Sequence, residues 1–228
     1  VDPSGHITAI QNGTFTLTVT SAGDTDYNGA TTSQLITIGN GSQTLTVTSA
    51  NTVRVDGTLT ATVSTTATGG RGGALSFAIS AGSGSATVNV NTGLITGVDV
   101  GTVTLTVTSA GDSDFLSASA SQLITIGRTT PIFTITSANT MIVGGTLSIS
   151  GTSTARPGLG GSVNNFAISA GSGSATVDTN GLITAISAGT ITLTAISTGD
   201  SDYYPAVANQ LITIGKATPT LTTTSANT

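Results

Sequence analysis

One polar motif repeats along the chain and concentrates its acids. Gly-Asp-x-Asp-aromatic occurs at Asp24/Asp26/Tyr27, Asp112/Asp114/Phe115 and Asp200/Asp202/Tyr203, using six of the ten acidic residues, every one of which is Asp. Two carboxylates one residue apart on a tight loop, set among backbone carbonyls, are the oxygen donors that a hard cation such as calcium takes. In the third copy Asp178 lies in a turn that alternating strand directions bring to the same end of the domain. Asp178, Asp200 and Asp202 could therefore converge on one cation. The competing reading is an Asx turn, in which the first Asp accepts from its own backbone while the aromatic closes the edge of the core. No full calcium-loop signature such as Asp-x-Asp-x-Asp-Gly is present, which favours the Asx turn and leaves calcium as the alternative.

Catalytic chemistry finds little material. His6 is the sole imidazole, and Leu94 and Leu182 stand at its place in the other copies, so no Ser-His-Asp arrangement can repeat. An Asp-x-Asp pair on one tight loop suits water or a cation better than the flanking carboxylates of a hydrolase. An enzyme is not expected. Ala81-Gly-Ser-Gly-Ser and its twin at Ala170 resemble glycine-rich phosphate loops, but such loops work by opening a helix, and here the segment joins two strands. A flexible turn is expected instead. The loops Thr68-Gly-Gly-Arg71-Gly-Gly and Ala155-Arg156-Pro-Gly-Leu-Gly-Gly differ most between copies; drift accounts for them, with a contact across a repeat junction or to a glycan as the alternative. The Thr-x-Thr arrays raise ice binding, yet comparable strands lie 88 residues apart, so solvent-facing strand threonine is the better reading.

Composition narrows the classes further. Thr and Ser make up about a third of the 228 residues, charged residues are 7%, and the net charge is -5 with four Arg and one Lys. That leaves no basic footprint for a phosphate backbone, so no nucleic-acid partner is expected. No apolar run approaches the roughly 18 to 20 residues of a membrane-spanning helix, so no membrane insertion of this segment is expected. Without Cys there are no disulfides or thiolate metal sites. A hydrophobic content of 37% and a mean hydropathy of +0.31 are too apolar for a disordered chain.

These motifs are positioned by repeats. Gln-Leu-Ile-Thr-Ile-Gly begins at Gln34, Gln122 and Gln210, and Thr-Ser-Ala-Asn-Thr begins at Thr48, Thr136 and Thr224, both with an 88-residue spacing. Ala78 to Val88 and Ala167 to Val177 are identical but 89 apart, so an insertion before Ala167 is cancelled by a deletion between Val177 and Gly181. The organisation expected is the C-terminal part of one repeat over 1–39, complete repeats over 40–127 and 128–215, and the first strand of the next repeat over 216–228. A period of that size suits one autonomous domain rather than a solenoid turn.

Within a repeat, Thr102-Val-Thr-Leu-Thr-Val-Thr alternates strictly and places Val103, Leu105 and Val107 on a core face. Further strands are expected at Thr44–Thr48, Thr58–Ser64, Ala74–Ser80, Ala86–Val90, Leu94–Val98 and Leu123–Ile126. Phe77 and Phe166 would fill the middle of the core. About seven short strands with turn signals between them give an all-β chain of tandem immunoglobulin-like β-sandwich domains, arranged as beads on a string. The connections Gly39-Asn-Gly-Ser-Gln, Gly127-Arg-Thr-Thr-Pro and Gly215-Lys-Ala-Thr-Pro are short. Pro131 and Pro219 stiffen two of them, and the first should bend more easily.

The run Ser174-Ala-Thr-Val-Asp-Thr-Asn-Gly-Leu-Ile-Thr-Ala-Ile-Ser-Ala-Gly-Thr-Ile-Thr-Leu-Thr resembles the signature of bacterial immunoglobulin-like group 2 domains, and it recurs from Ser85 to Thr106. The Thr/Ser/Asn-rich, Lys-poor style is most similar to the repeat regions of giant gliding adhesins of Bacteroidetes. That resemblance implies a bacterial cell-surface, extracellular filament exported by the type IX system, whose stalk repeats project a distal binding region for attachment or gliding. Its partners would be neighbouring repeats of the same chain. The alternative is that the repeats themselves bind surface polysaccharide weakly, with avidity from copy number; Tyr204 is the one spare aromatic that could serve as a sugar platform.

Overall fold

In a computed structural model, residues 1–223 are described, and they contain strands and turns with no helix. The chain divides into two units, Val1–Ile126 and Gly127–Thr228. Residues 216–223 of the expected next strand carry no strand pairing, and 224–228 lie outside the described residues.

The first unit opens with a hairpin of β1 (Gly13–Gly23) and β2 (Asn28–Ile38). A sandwich follows, built from β3 (Leu45–Val47), β4 (Thr52–Arg54), β5 (Thr58–Thr60), β6 (Val63–Thr65), β7 (Leu75–Ala81), β8 (Ser85–Val88), β9 (Leu94–Asp99), β10 (Gly101–Ser109) and β11 (Ala118–Gly127). One face is the four-stranded sheet β4-β11-β10-β7, and the other is made by β5-β9-β8 and the pair β3-β6. The second unit repeats this order with β12 (Phe133–Ile135), β13 (Thr140–Ile142), β14 (Thr146–Ser148), β15 (Gly151–Ser153), β16 (Val163–Ala170), β17 (Ser174–Val177), β18 (Leu182–Ser187), β19 (Gly189–Ser197) and β20 (Ala206–Gly215). Its sheets are β13-β20-β19-β16, β14-β18-β17 and β12-β15. Each is an immunoglobulin-like sandwich.

Two differences from the expected seven strands have a physical cause. The stretch 58–64 is not one strand, because the chain changes sheets at Ala61: β5 pairs with β9 and β6 with β3. The short β4 escaped the alternation pattern because three residues are too few to show a period. The one-residue insertion before Ala167 appears as a bulge, where Val163 pairs with Ser197 but Asn165 with Ile196. The compensating deletion shortens the turn that follows β17.

Alternation does place the core. In the second unit Ile183 and Ala185 of β18 pack with Ile191 and Leu193 of β19 and with Ile212 and Ile214 of β20, so side chains of the two facing sheets interdigitate. Threonine takes the opposite face, where hydroxyls pair across strands: Thr18 with Ser33, Thr106 with Ser121, and Thr194 with Asn209.

The Ala81-Gly-Ser-Gly-Ser segment is packed rather than loose. It crosses from one sheet to the other against the turn before β10, where Gly101 (φ +140°) comes so close that a Cβ would lie 2.4 Å from the Gly84 nitrogen. Gly173 and Gly189 repeat this approach. Ser83 and Ser172 Oγ accept the N–H groups of Thr102 and Thr190 at 3.0 and 3.1 Å. Glycine is needed there for closeness.

Hairpin β1–β2 has the register of β10–β11: Gly13 faces Ile38 as Gly101 faces Ile126. No second sheet covers it among residues 1–39, so Val19 is 58% exposed where the matching Val107 is fully buried. Val107→Ala should therefore cost about 1–3 kcal/mol through loss of buried methyls, whereas Val19→Ala should stay within about 0.5 kcal/mol, both read by urea unfolding of the full chain.

Candidate functional site: the acidic loop at the repeat pole

The acidic loop follows β10 or β19, and its first Asp organises it. Asp112 Oδ1 accepts the N–H groups of Asp114 and Phe115 at 2.8 and 2.9 Å, while Oδ2 accepts Gly72 N–H at 2.7 Å from the loop before β7. Asp200 repeats all three bonds with Asp202, Tyr203 and Gly160 at 2.8, 2.9 and 2.6 Å. Asp24 makes the same Asx turn with Asp26 and Tyr27. The first Asp thus caps its own loop and, in both sandwiches, staples a second loop to it. The stapled backbones lie close: a Cβ on Gly73 (φ +85°) would sit 2.1 Å from the Gly111 carbonyl oxygen, and one on Gly161 2.3 Å from that of Gly199.

The start of each repeat is zipped onto the same loop. Gly41 N–H donates to the Asp114 carbonyl at 2.7 Å and its carbonyl accepts Leu116 N–H at 2.9 Å; Thr129 makes the equivalent pair with Asp202 and Tyr204 at 3.3 and 2.8 Å. Buried Gln43, at the place of Pro131, adds Nε2 bonds of 2.8 Å to the Gly72 and Leu116 carbonyls. Side-chain hydrogen bonds hold the first connection where proline stiffens the second, a device the absence of proline did not reveal.

The aromatic that ends the motif differs between copies. Tyr203 is 1% exposed and its hydroxyl accepts the backbone N–H and Nε of Arg156 at 3.2 and 3.3 Å; Phe115 is half-buried against Gly41; Tyr27, with no sandwich around it, is 76% exposed. The arginine loops are thus engaged within their units. Arg71 Nη1 lies 3.1 Å from Asp114 Oδ2 and donates to the Ile10 carbonyl at 2.8 Å. Tyr204, the spare aromatic, is half-exposed, and the Arg128 guanidinium stands over its ring 5.6 Å from the centroid.

The Asx turn, the favoured reading, is present at all three first aspartates, Asp24, Asp112 and Asp200. Among the described residues no three His, Cys, Asp or Glu side chains come together as metal ligands. Asp178 stays with its own turn, accepting the N–H groups of Asn180 and Leu182 at 2.9 and 2.8 Å. Around Asp112 and Asp200 the inward-pointing groups are N–H donors, which suit an anion and repel a cation. Backbone N–H donors from Gly72, Asp114 and Phe115 and the charge of Arg71 hold Asp112 below the ordinary aspartate pKa of 3.8, against some desolvation. At Asp200 desolvation pushes the other way, and the N–H groups of Gly160, Asp202 and Tyr203 with Arg128 outweigh it, so its pKa is also lowered.

The family comparison agrees with this architecture. Residues 41–117 match the family model of the bacterial Ig-like domain (group 2). A search of curated protein sequences finds no match. Similar solved structures include the fibronectin(III)-like modules of CbhA from Clostridium thermocellum, 11% identical over 80% of this chain and 100% of that one, with a TM-score of 0.27. The C-terminal 282-residue fragment of intimin in complex with the intimin-binding domain of its translocated receptor is 16% identical over 74% and 63%, TM-score 0.28. SGBP-B of Bacteroides ovatus, in complex with a mixed-linkage heptasaccharide, is 14% identical over 91% and 54%, TM-score 0.22. No helix among the described residues is long and apolar enough to cross a membrane.

Because folding lowers the pKa of Asp112 and Asp200, the stability they add is complete above the unfolded value and is lost as pH falls through the lower folded one. The melting temperature of the full chain should be level near neutrality and drop from roughly pH 5 downward. Asp112→Asn with Asp200→Asn should melt lower at pH 7 and show a shallower acid slope; an unchanged slope would remove these carboxylates from the account.

Proposed function

We propose that both complete repeats, 40–127 and 128–215, are bacterial immunoglobulin-like domains that bear tension in the stalk of a cell-surface protein. The observation that carries this reading is the pairing of the second strand of each repeat with its last. In the second unit β13 runs parallel to β20, with Thr140, Met141 and Ile142 opposite Thr213, Ile214 and Gly215. Thr213 N–H donates to the Asn139 carbonyl at 2.9 Å, Val143 N–H to Gly215 at 3.0 Å, and Gln210 Nε2 to Ser137 at 2.9 Å. In the first unit β4 lies beside β11, with Thr125 N–H on the Asn51 carbonyl and Gln122 Nε2 on that of Ser49. Pulling the ends of such a domain draws two parallel strands past each other, so all of these bonds share the load and none can open first.

The repeated strings support the same reading. Gln-Leu-Ile-Thr-Ile-Gly and Thr-Ser-Ala-Asn-Thr, two of the runs that recur unchanged, are the two sides of this clamp. The match of residues 41–117 to the bacterial Ig-like domain (group 2) fits a structural part. A surface filament of the gliding-adhesin kind is the setting that the composition and repeat style favour. Arg128 over the Tyr204 ring leaves that aromatic a poor sugar platform, which weighs against repeats that bind polysaccharide themselves.

Single-molecule stretching of the full chain should give two unfolding events of similar force. Val143→Pro deletes one clamp donor, and should lower the force of one event while the other stays put. Two unchanged events would contradict the clamp.

A further inference from the structure

We infer that the arginine and the second aspartate at the pole of a repeat form a socket for the backbone of the turn that precedes it, fixing a repeat junction by hydrogen bonds and an ion pair without a bridging cation. Asp112 is consumed by its own loop, whereas the Asp114 carboxylate turns outward. Its Oδ1 accepts the backbone N–H of Asn12 at 2.9 Å, and its Oδ2 pairs with Arg71 Nη1 at 3.1 Å. The same Nη1 donates to the backbone carbonyl of Ile10 at 2.8 Å. One turn therefore presents a carbonyl and an N–H to one cation and one anion that also hold each other. Asn12 Nδ2 adds a 2.9 Å bond to Asn40 Oδ1, and Ala9 to Asn12, Ile38, Gly41, Asp114 and Phe115 border a shallow cleft there of about 190 Å³.

Three features make this an interaction surface for a repeat end rather than an incidental contact. The turn 10–12 stands 88 residues before 98–100, where β9 ends and the chain turns into β10, and hairpin β1–β2 that follows it keeps the register of β10–β11. The partner is thus the tail of a repeat of this same kind. Both contacted atoms belong to the backbone, so the socket reads the shape of the turn rather than its side chains. The Asp114 side chain is only 10% exposed, which protects its bonds from water and salt more than an open surface pair would be.

The socket would order a junction whether or not the repeats bear tension, so its test is separate from stretching. Amide hydrogen exchange of the full chain by NMR, in calcium and again in EDTA, reads the Asn12 N–H directly. In Asp114→Ala that amide should exchange about tenfold to a hundredfold faster, the loss expected for a hydrogen bond to a charged acceptor, while Leu105 in β10 keeps its protection and the neighbouring Ser113→Ala changes nothing. Wild type should exchange equally in calcium and EDTA. Unchanged Asn12 exchange in Asp114→Ala, or protection that appears only with calcium, would overturn the socket. If Asp114→Ala also loses the Leu105 protection, Arg71→Ala decides: it leaves Asp112 and its loop intact, and should speed Asn12 exchange several-fold, with no change counting against the inference.

Discussion

The contact between the second strand of each repeat and its last, parallel where β13 meets β20, closes each sandwich and gives the remaining features their meaning. A sheet edge left open is a liability, and β13 covers the edge of β20 with only three residues. Because β13 and β20 lie side by side and run the same way, the chain enters the one and leaves the other at opposite ends of the pair. Tension is then met by a row of bonds in shear. Side-chain bonds from Gln122 and Gln210 to the Ser49 and Ser137 carbonyls lengthen that row beyond what the short strands supply.

The acidic loop solves a different problem at the pole. Two loops and the incoming connection must meet there without a helix or a disulfide to hold them. One carboxylate with two oxygens accepts three N–H groups and draws the loops together, leaving a charge that must be kept solvated or paired. The low charge content of the chain favours this arrangement, since few other ions compete for the same donors. A cation among those N–H groups would oppose it, so the aspartates serve as anions toward the backbone. The second aspartate is left to face outward, and at Asp114 it meets Arg71 and the turn at Asn12.

Much of this was legible in the sequence. Strict alternation in 102–108 placed Val103, Leu105 and Val107 in the core, and the 88-residue spacing of two strings marked the repeats. The Asx turn at each first Asp followed from residue type alone. What stayed hidden was tertiary. Nothing local says that Thr-Ser-Ala-Asn-Thr lies against Gln-Leu-Ile-Thr-Ile-Gly, because the bonded residues are 73 positions apart. Strand directions alone put Asp178 at the same end as Asp200, but say nothing of the bonds that Asp178 makes within its own turn. A junction contact was the lesser reading of the Arg71 loop, because a bond to backbone atoms leaves no matching partner residue to find. Gln43 in place of a proline gave no signal either, as a buried glutamine declares itself only through the carbonyls around it.

The claim that matters most is that the clamp resists tension in shear, and pulling direction tests it. The second repeat can be stretched within the full chain through residues 128 and 216, which loads β13 against β20 lengthwise. It can also be stretched through cysteines placed at Ala138 and Ser201, a pair of anchor points that both precede the strands they lead into and so do not draw β13 and β20 in opposite directions along their length. The account predicts a clearly higher unfolding force for the end-to-end direction, reduced when Gln210 is replaced by Ala. Equal forces in both directions, or an end-to-end force indifferent to Gln210, would contradict it.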